Sequence, residues 1–171
     1  MNAHKYAYAF ALSILEYPKS IPSLFRHVKD YLLLAGKEAL LHDESNYSRF
    51  VYDGTTDSYN LCHFWTNLEL GDLDVFRSQE YNEMFEYLDR QNGFFYERWG
   101  DAPVRSLILS LILKKGQIHR LADIGYKHEP YLQCPTDAAL RRAKKCSCNP
   151  DMDFTHNWYS CSWWFDRLDG S

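Results

Sequence analysis

The sequence predicts an α/β domain in which a mixed sheet is flanked by helices, and three observations predict it. Residues 5–15, KYAYAFALSIL, alternate Tyr6, Tyr8, Phe10, Leu12 and Ile14 with small residues, the period of a buried strand. The stretch SIPSLFRHVKDYLLLAG then places apolar residues at 24, 25, 28, 31 and 32, a helical stripe between Pro22 and Gly36. A second strand-like segment, Ile118 to Leu121, follows an apolar helix later in the chain. Strands that feed helices build layers rather than a bundle.

The remaining elements follow in order. Pro18 ends the first strand, and residues 42–60 read as a loop with a turn at Asp53-Gly54. CHFWTNLEL is an aromatic segment that reaches Glu69. Asp72 and Asp74 behind it suit the start of a helix better than a metal site. Ser78 is placed to cap QEYNEMFEYLDR, whose apolar positions 81, 84, 85 and 88 share one face before Gly93. Asp101 is the expected N-cap of the next helix, with Pro103 early in it and a buried stripe at Val104, Leu107, Ile108, Leu111 and Ile112. Lys114, Lys115 and Gly116 close it. Beyond DIGYKHEPY the tail is expected to be irregular, and the whole chain, residues 1–171, to form one domain.

A hydrophobic content of 46% in 171 residues supports a sizeable core and excludes a disordered chain. A formal net charge of −4 excludes the broad basic field that nucleic acid requires, and Arg141, Arg142, Lys144 and Lys145 read as a solvated face. The apolar runs at residues 7–15 and 107–113 are too short to cross a bilayer. Of the 5 cysteines, Cys134, Cys146, Cys148 and Cys161 lie in the tail and Cys62 stands apart. Their uneven intervals suit disulfides better than zinc, and the odd count leaves at least one unpaired within a monomer. Cys134 is expected to pair with Cys146, Cys148 or Cys161 and so staple the tail to the His128 loop.

Three places carry candidate chemistry. Asp101 follows Tyr96, Glu97, Arg98 and Trp99, so it either caps a helix or accepts hydrogen bonds from ligand hydroxyls while Tyr96 or Trp99 stacks on the ligand. Glu69 sits between Leu68 and Leu70, where a carboxylate is costly unless it is paired, used or turned to solvent. His128, between two tyrosines, is either a hydrogen-bonded structural residue or a ligand. No HExxH, zinc-finger, P-loop or GxGxxG spacing is present.

Two segments carry a family resemblance: YNLCHFWTNLELGDLDVFRSQEYNEMFEYLDRQNGFFYERWGDAPVRS, residues 59–106, and IHRLADIGYKHEPYLQCP, residues 118–135. They resemble the C-terminal half of the fungal Golgi α-1,2-mannosyltransferases, glycosyltransferase family 15. The resemblance implies a partial GT-A-like nucleotide-sugar transferase fold. It also implies GDP-mannose as donor, a mannosylated glycan or glycoprotein as acceptor, Mn²⁺ as cofactor, retention of anomeric configuration and a membrane-associated place in the Golgi lumen. By the same resemblance Glu69 is the nucleophile or the stabiliser of the mannosyl cation, Asp101 is an acid of the sugar-binding pocket, and His128 ligates manganese. Three departures stand out: the membrane anchor, and the nucleotide-binding half with its acidic metal motif ahead of Lys5, are expected to be absent, and Arg105 stands where the family usually has histidine. Arg105 puts a cation in the first turn of a helix, which the dipole disfavours unless an acid pairs with it. An inactive remnant or a mannoside-binding module is the alternative expectation. A hydrolase would need two carboxylates about 5 to 9.5 Å apart across the sugar.

Overall fold

The computed structural model describes residues 6–170; Lys5, which opens the expected first strand, lies outside the described residues. The elements in chain order are β1 (Tyr8–Phe10), β2 (Ser13–Leu15), α1 (Leu24–Leu34), α2 (Ser48–Val51), β3 (Tyr52–Asp53), β4 (Ser58–Tyr59), β5 (Cys62–Phe64), β6 (Glu69–Gly71), α3 (Leu73–Phe76), α4 (Gln79–Asp89), α5 (Gly93–Tyr96), α6 (Asp101–Ile112), β7 (Ile118–Arg120), β8 (Tyr126–His128), β9 (Tyr131–Gln133), α7 (Ala138–Ala143) and α8 (Ser162–Asp169).

The expected first strand is two strands, because the backbone changes partners along it. β1 lies between β6, antiparallel, and β7, parallel, which makes the sheet mixed. β2 pairs instead with β5, antiparallel. Both faces of this segment are covered, and every residue from Ala7 to Ile14 is buried. The register sets Phe10 opposite Glu69 and Tyr8 opposite Gly71. Residues opposite one another share a face, so Tyr8 is the diagonal neighbour of Glu69, a separation that a long aromatic side chain spans.

Helix α1 buries Leu24, Val28, Tyr31 and Leu32 as its stripe requires, and Gly36 takes the left-handed φ of +63° just past its end. Ser78 caps α4, its hydroxyl accepting the Tyr81 N–H at 3.2 Å. Asp72 caps α3. Helix α6 departs from its expected stripe: of Ala102 to Leu111 only Arg105 is not buried, and Ser106 and Ser110 are buried too. It is a central helix, in contact with β5, α2 and α4. The Ser106 hydroxyl accepts the Phe64 N–H at 2.7 Å and locks α6 to β5.

The segment 42–60 is not a plain loop: α2 and the β3–β4 hairpin occupy it, with Tyr47, Phe50 and Val51 in the core. The tail is not irregular either. Phe165 of α8 sits edge-on to Phe10, Phe50 and Phe64, with ring centroids 4.9, 5.6 and 5.8 Å away. Arg120 on β7 grips Asp166 on α8 through two bonds of 2.7 Å and donates a third, of 2.9 Å, to Gln133 on β9.

Two disulfides complete this attachment, Cys62–Cys161 and Cys134–Cys148, leaving Cys146 free. Cys134 thus takes one of its three expected partners, whereas Cys62, expected to stand apart, anchors the start of α8. The basic run lies on and after α7. Lys144 pairs there with Asp123 at 2.6 Å, and Arg141 donates to the carbonyls of Pro135 and Thr136.

Candidate active site

Strand β6 delivers Glu69 beside β1, and the first two turns of α6 deliver Asp101 and Arg105. The Tyr8 hydroxyl donates to Glu69 Oε2 at 2.6 Å, and Arg105 Nη1 donates to Glu69 Oε1 in a short ion pair. Both carboxylate oxygens are therefore engaged. The Arg105 guanidinium lies over the Phe76 ring, 5.3 Å from its centroid. Phe76 in turn fills the space beside Gly71, where a Cβ would fall 2.2 Å from the ring. The Arg105 Nε is buried with no hydrogen-bond partner.

The electrostatics bind these groups together. Burial, then the Glu69 carboxylate, pushes the Tyr8 phenol far above its ordinary range, so it remains a proton donor. Burial opposes the charged form of Arg105, but Glu69 and Tyr81 outweigh it and raise the guanidinium further. Burial also raises Tyr81, and Arg105 works against that rise. Asp101 adds its negative charge to the surroundings of Tyr8, Tyr81 and His63. His63 on β5 was given no role from the sequence. It is buried, its Nδ1 has no hydrogen-bond partner, and burial lowers it to about 4 despite Asp101.

Glu69, Asp101 and Arg105 thus meet with Tyr8 and Tyr81 in one charged cluster. The other candidates are placed differently. Asp101 is not the N-cap: Gly100 holds that position, and the exposed Asp101 begins α6 without a side-chain cap bond, free to meet a ligand. Its charge still suits the positive end of the helix. Trp99 corrects the expectation of a stacking platform, since its indole is 4% exposed. Its Nε1 donates to Glu97 at 2.6 Å, and its ring packs on Gly93 and Phe94. Tyr96 is 89% exposed at the end of α5.

His128 ends β8, exposed, its ring set edge-on to Trp65 at 4.6 Å. Among the described residues no three His, Cys, Asp or Glu side chains converge as a metal site. These residues alone therefore do not make a manganese site.

Tyr8 was legible only as a core residue of the first strand. Arg105 had a signal, a cation in the first turn of a helix, and Glu69 is the acid that answers it.

Comparison with known proteins places the chain in a family. The signature of the family described as "Glycolipid 2-alpha-mannosyltransferase" matches residues 1–169. The chain belongs to this family. Alpha-1,2 mannosyltransferase KTR1 of Saccharomyces cerevisiae is 48% identical over 162 residues, covering 95% of this chain and 40% of the relative. The glycolipid 2-alpha-mannosyltransferase of the same yeast is 44% identical over 161 residues, covering 94% and 36%. Among solved structures, the S. cerevisiae mannosyltransferase Ktr4p in complex with GDP superposes with a TM-score of 0.85 at 34% identity, over 99% of this chain and 45% of that one. Core-mannan synthase A of Aspergillus fumigatus, in an Mn/GDP form, superposes with a TM-score of 0.81 at 33% identity, over 99% and 47%. The expected α/β, GT-A-like fold is borne out by these superpositions and by the mixed sheet. The chain spans less than half the length of each relative named here.

Proposed function

We propose that this chain is the C-terminal part of a mannosyltransferase catalytic domain. The transferase takes mannose from GDP-mannose to a mannosylated glycan or glycoprotein acceptor, with an α-1,2 linkage and retention of configuration. The observation that carries this reading is the buried-edge carboxylate of Glu69, oriented by Tyr8, on a chain matched by the family along nearly its full length. A carboxylate that accepts a hydrogen bond from a neutral phenol is held in a fixed direction. Such a group suits stabilisation of the mannosyl cation that develops as GDP departs, or attack on its anomeric carbon.

Asp101, exposed at the start of α6, accepts hydrogen bonds from sugar hydroxyls, with Tyr96 as the exposed aromatic nearest in sequence. His128 would offer a single imidazole to manganese, which would supply charge neutralisation toward the leaving diphosphate once the remaining ligands came from outside these residues. Manganese and GDP enter this reading from the solved relatives that hold them. Work in protein glycosylation, in the Golgi lumen and in association with its membrane, rests on the sequence resemblance; no helix among the described residues is long and apolar enough to span a bilayer.

A second reading, a mannoside-binding module without transfer activity, is favoured by one observation: Arg105 occupies an oxygen of Glu69 that the chemistry needs. Calorimetric titration with GDP, with and without Mn²⁺, separates the two. Metal-dependent binding at micromolar to low-millimolar strength is expected for the transferase. Absence of GDP binding alongside metal-independent mannoside binding would replace it with the second reading.

A further inference from the structure

A carboxylate facing a sugar that is becoming cationic works through its uncompensated negative charge. Here that charge already has a partner. Arg105 Nη1 holds Glu69 Oε1 while Tyr8 holds Oε2, so no oxygen of the carboxylate is free of a donor. The two donors are not equivalent. The phenol adds no charge, whereas the guanidinium cancels the charge that a cationic ligand would meet.

The hold of Arg105 is also incomplete. Its Nε is buried without a partner, so the guanidinium gains less from this pose than its donor count allows. A second acid is within its own helix. Asp101 precedes Arg105 by four residues, the acid-before-base spacing at which side chains on a helix meet. Phe76 lies under the guanidinium and Tyr81 interacts with it, surfaces along which the side chain can turn.

We propose that Arg105 is an internal counter-ion of Glu69 that competes with a cationic sugar for the carboxylate. It is a positioning residue: it acts on the sugar through Glu69, and its release toward Asp101 exposes the Glu69 charge. This role rests on the transferase reading of Glu69 given above.

The test is titration of the full chain with a mannose-configured iminosugar, cationic at neutral pH, with uncharged mannose as control. Arg105→Gln is expected to bind the iminosugar at least tenfold more tightly than the parent, with mannose affinity unchanged. Arg105→Lys restores a cation and is expected to return the iminosugar affinity toward the parent value. Glu69→Gln in the Arg105→Gln background is expected to abolish the gain. Should Arg105→Gln fail to fold, Arg105→His titrated at pH 8 offers a neutral donor in its place, with the same tenfold gain expected. A folded neutral variant that binds the iminosugar no better than the parent, or a gain that survives loss of Glu69, overturns the proposal. GDP titration with Mn²⁺ on the same variants keeps the two ideas apart. GDP binding without a cation gain removes the counter-ion role alone, and a cation gain without GDP binding removes the transferase reading alone.

Discussion

The two disulfides make a quantitative prediction, because they close loops of very different length around the same core. Cys62–Cys161 spans 99 residues and Cys134–Cys148 spans 14. If each bridge stabilises chiefly by restricting the unfolded chain, their loop-closure terms differ by (3/2)RT ln(99/14), about 1.7 kcal/mol. The full contributions are then about 4.7 kcal/mol for the long loop and about 3 kcal/mol for the short one. Packing widens the gap. Cys62 and Cys161 are both buried, at 7% and 1% exposure, and Cys161 is the residue from which α8 carries Phe165 into the aromatic core. Cys148 is only half-buried.

The perturbation is Cys62→Ala/Cys161→Ala against Cys134→Ala/Cys148→Ala, both in a Cys146→Ala background. That background matters because the Cβ position of Gly125 is 3.3 Å from Cys148 Sγ and 3.6 Å from Cys146 Sγ, so a free Cys146 thiol has the disulfide within reach for exchange. Urea unfolding followed by tryptophan fluorescence and far-UV circular dichroism gives the two losses, with the m-value checked for constancy. The long-loop variant is expected to lose about 2 kcal/mol more than the short-loop variant. Equal losses, or a larger loss for the short loop, would refute the loop-closure reasoning.

Three further outcomes are expected. Tyr8→Phe removes a hydrogen bond of 2.6 Å to an ionised carboxylate at a buried position and is expected to cost about 2 kcal/mol, or about 4 to 8 °C in Tm by thermal melting; an unchanged Tm would show that Arg105 alone holds Glu69. His63 has a folded-state pKa of about 4, below its ordinary 6.5, so between those values the unfolded chain binds the extra proton and stability falls as pH falls. The loss is about 1.4 kcal/mol per pH unit at most, roughly 3 kcal/mol by pH 4 and flat above 6.5 for this group; His63→Gln should flatten that slope, and an unaltered slope would assign it to carboxylates instead. Gly93→Ala drives a Cβ to within 2.4 Å of three Trp99 ring atoms and is expected to cost about 1 to 3 kcal/mol in urea unfolding; a neutral result would restore Trp99 as a movable ring.

How far the fold could be read from the sequence depended on how local the deciding contact was. Helices α1 and α4 were legible because their stripes, the Ser78 cap and the Gly36 stop all lie within the segments they define. Helix α6 was legible as a helix but not as the centre of the molecule, since burial on every side depends on β5, α2 and α4 arriving from elsewhere. Strands β1 and β2 share one period-two pattern, which carries no mark of where the backbone exchanges β6 and β7 for β5. The hairpin β8–β9 and helix α8 were lost for a related reason. The hairpin strands are three residues each, and α8 makes only about two turns held by Cys62–Cys161 and Arg120–Asp166, so the contacts that decide them lie far along the chain.

The site divides along the same line. Residue chemistry marked Glu69 as a carboxylate that needed a purpose, and Arg105 as a cation set against a helix dipole. What no local pattern encoded is that these two anomalies resolve one another. Their pairing requires β6 to run antiparallel to β1, so that Glu69 stands beside Tyr8, and requires Ser106 to hold the first turns of α6 against β5, so that Arg105 reaches across. Trp99 failed in the opposite direction. Its neighbours Glu97 and Asp101 made it look like a ligand platform, yet Glu97 serves its buried Nε1 and Gly93 leaves the space for its ring. The polar and aromatic residues from Gly93 to Arg105 are therefore two structures in one run of sequence. In the earlier part Gly93 and Trp99 pack into the core while Phe95 and Tyr96 stay exposed, and in the later part Arg105 reaches the carboxylate. A substitution at Gly93 or Trp99 should move stability at unchanged ligand preference, and one at Asp101 or Arg105 should move ligand preference first.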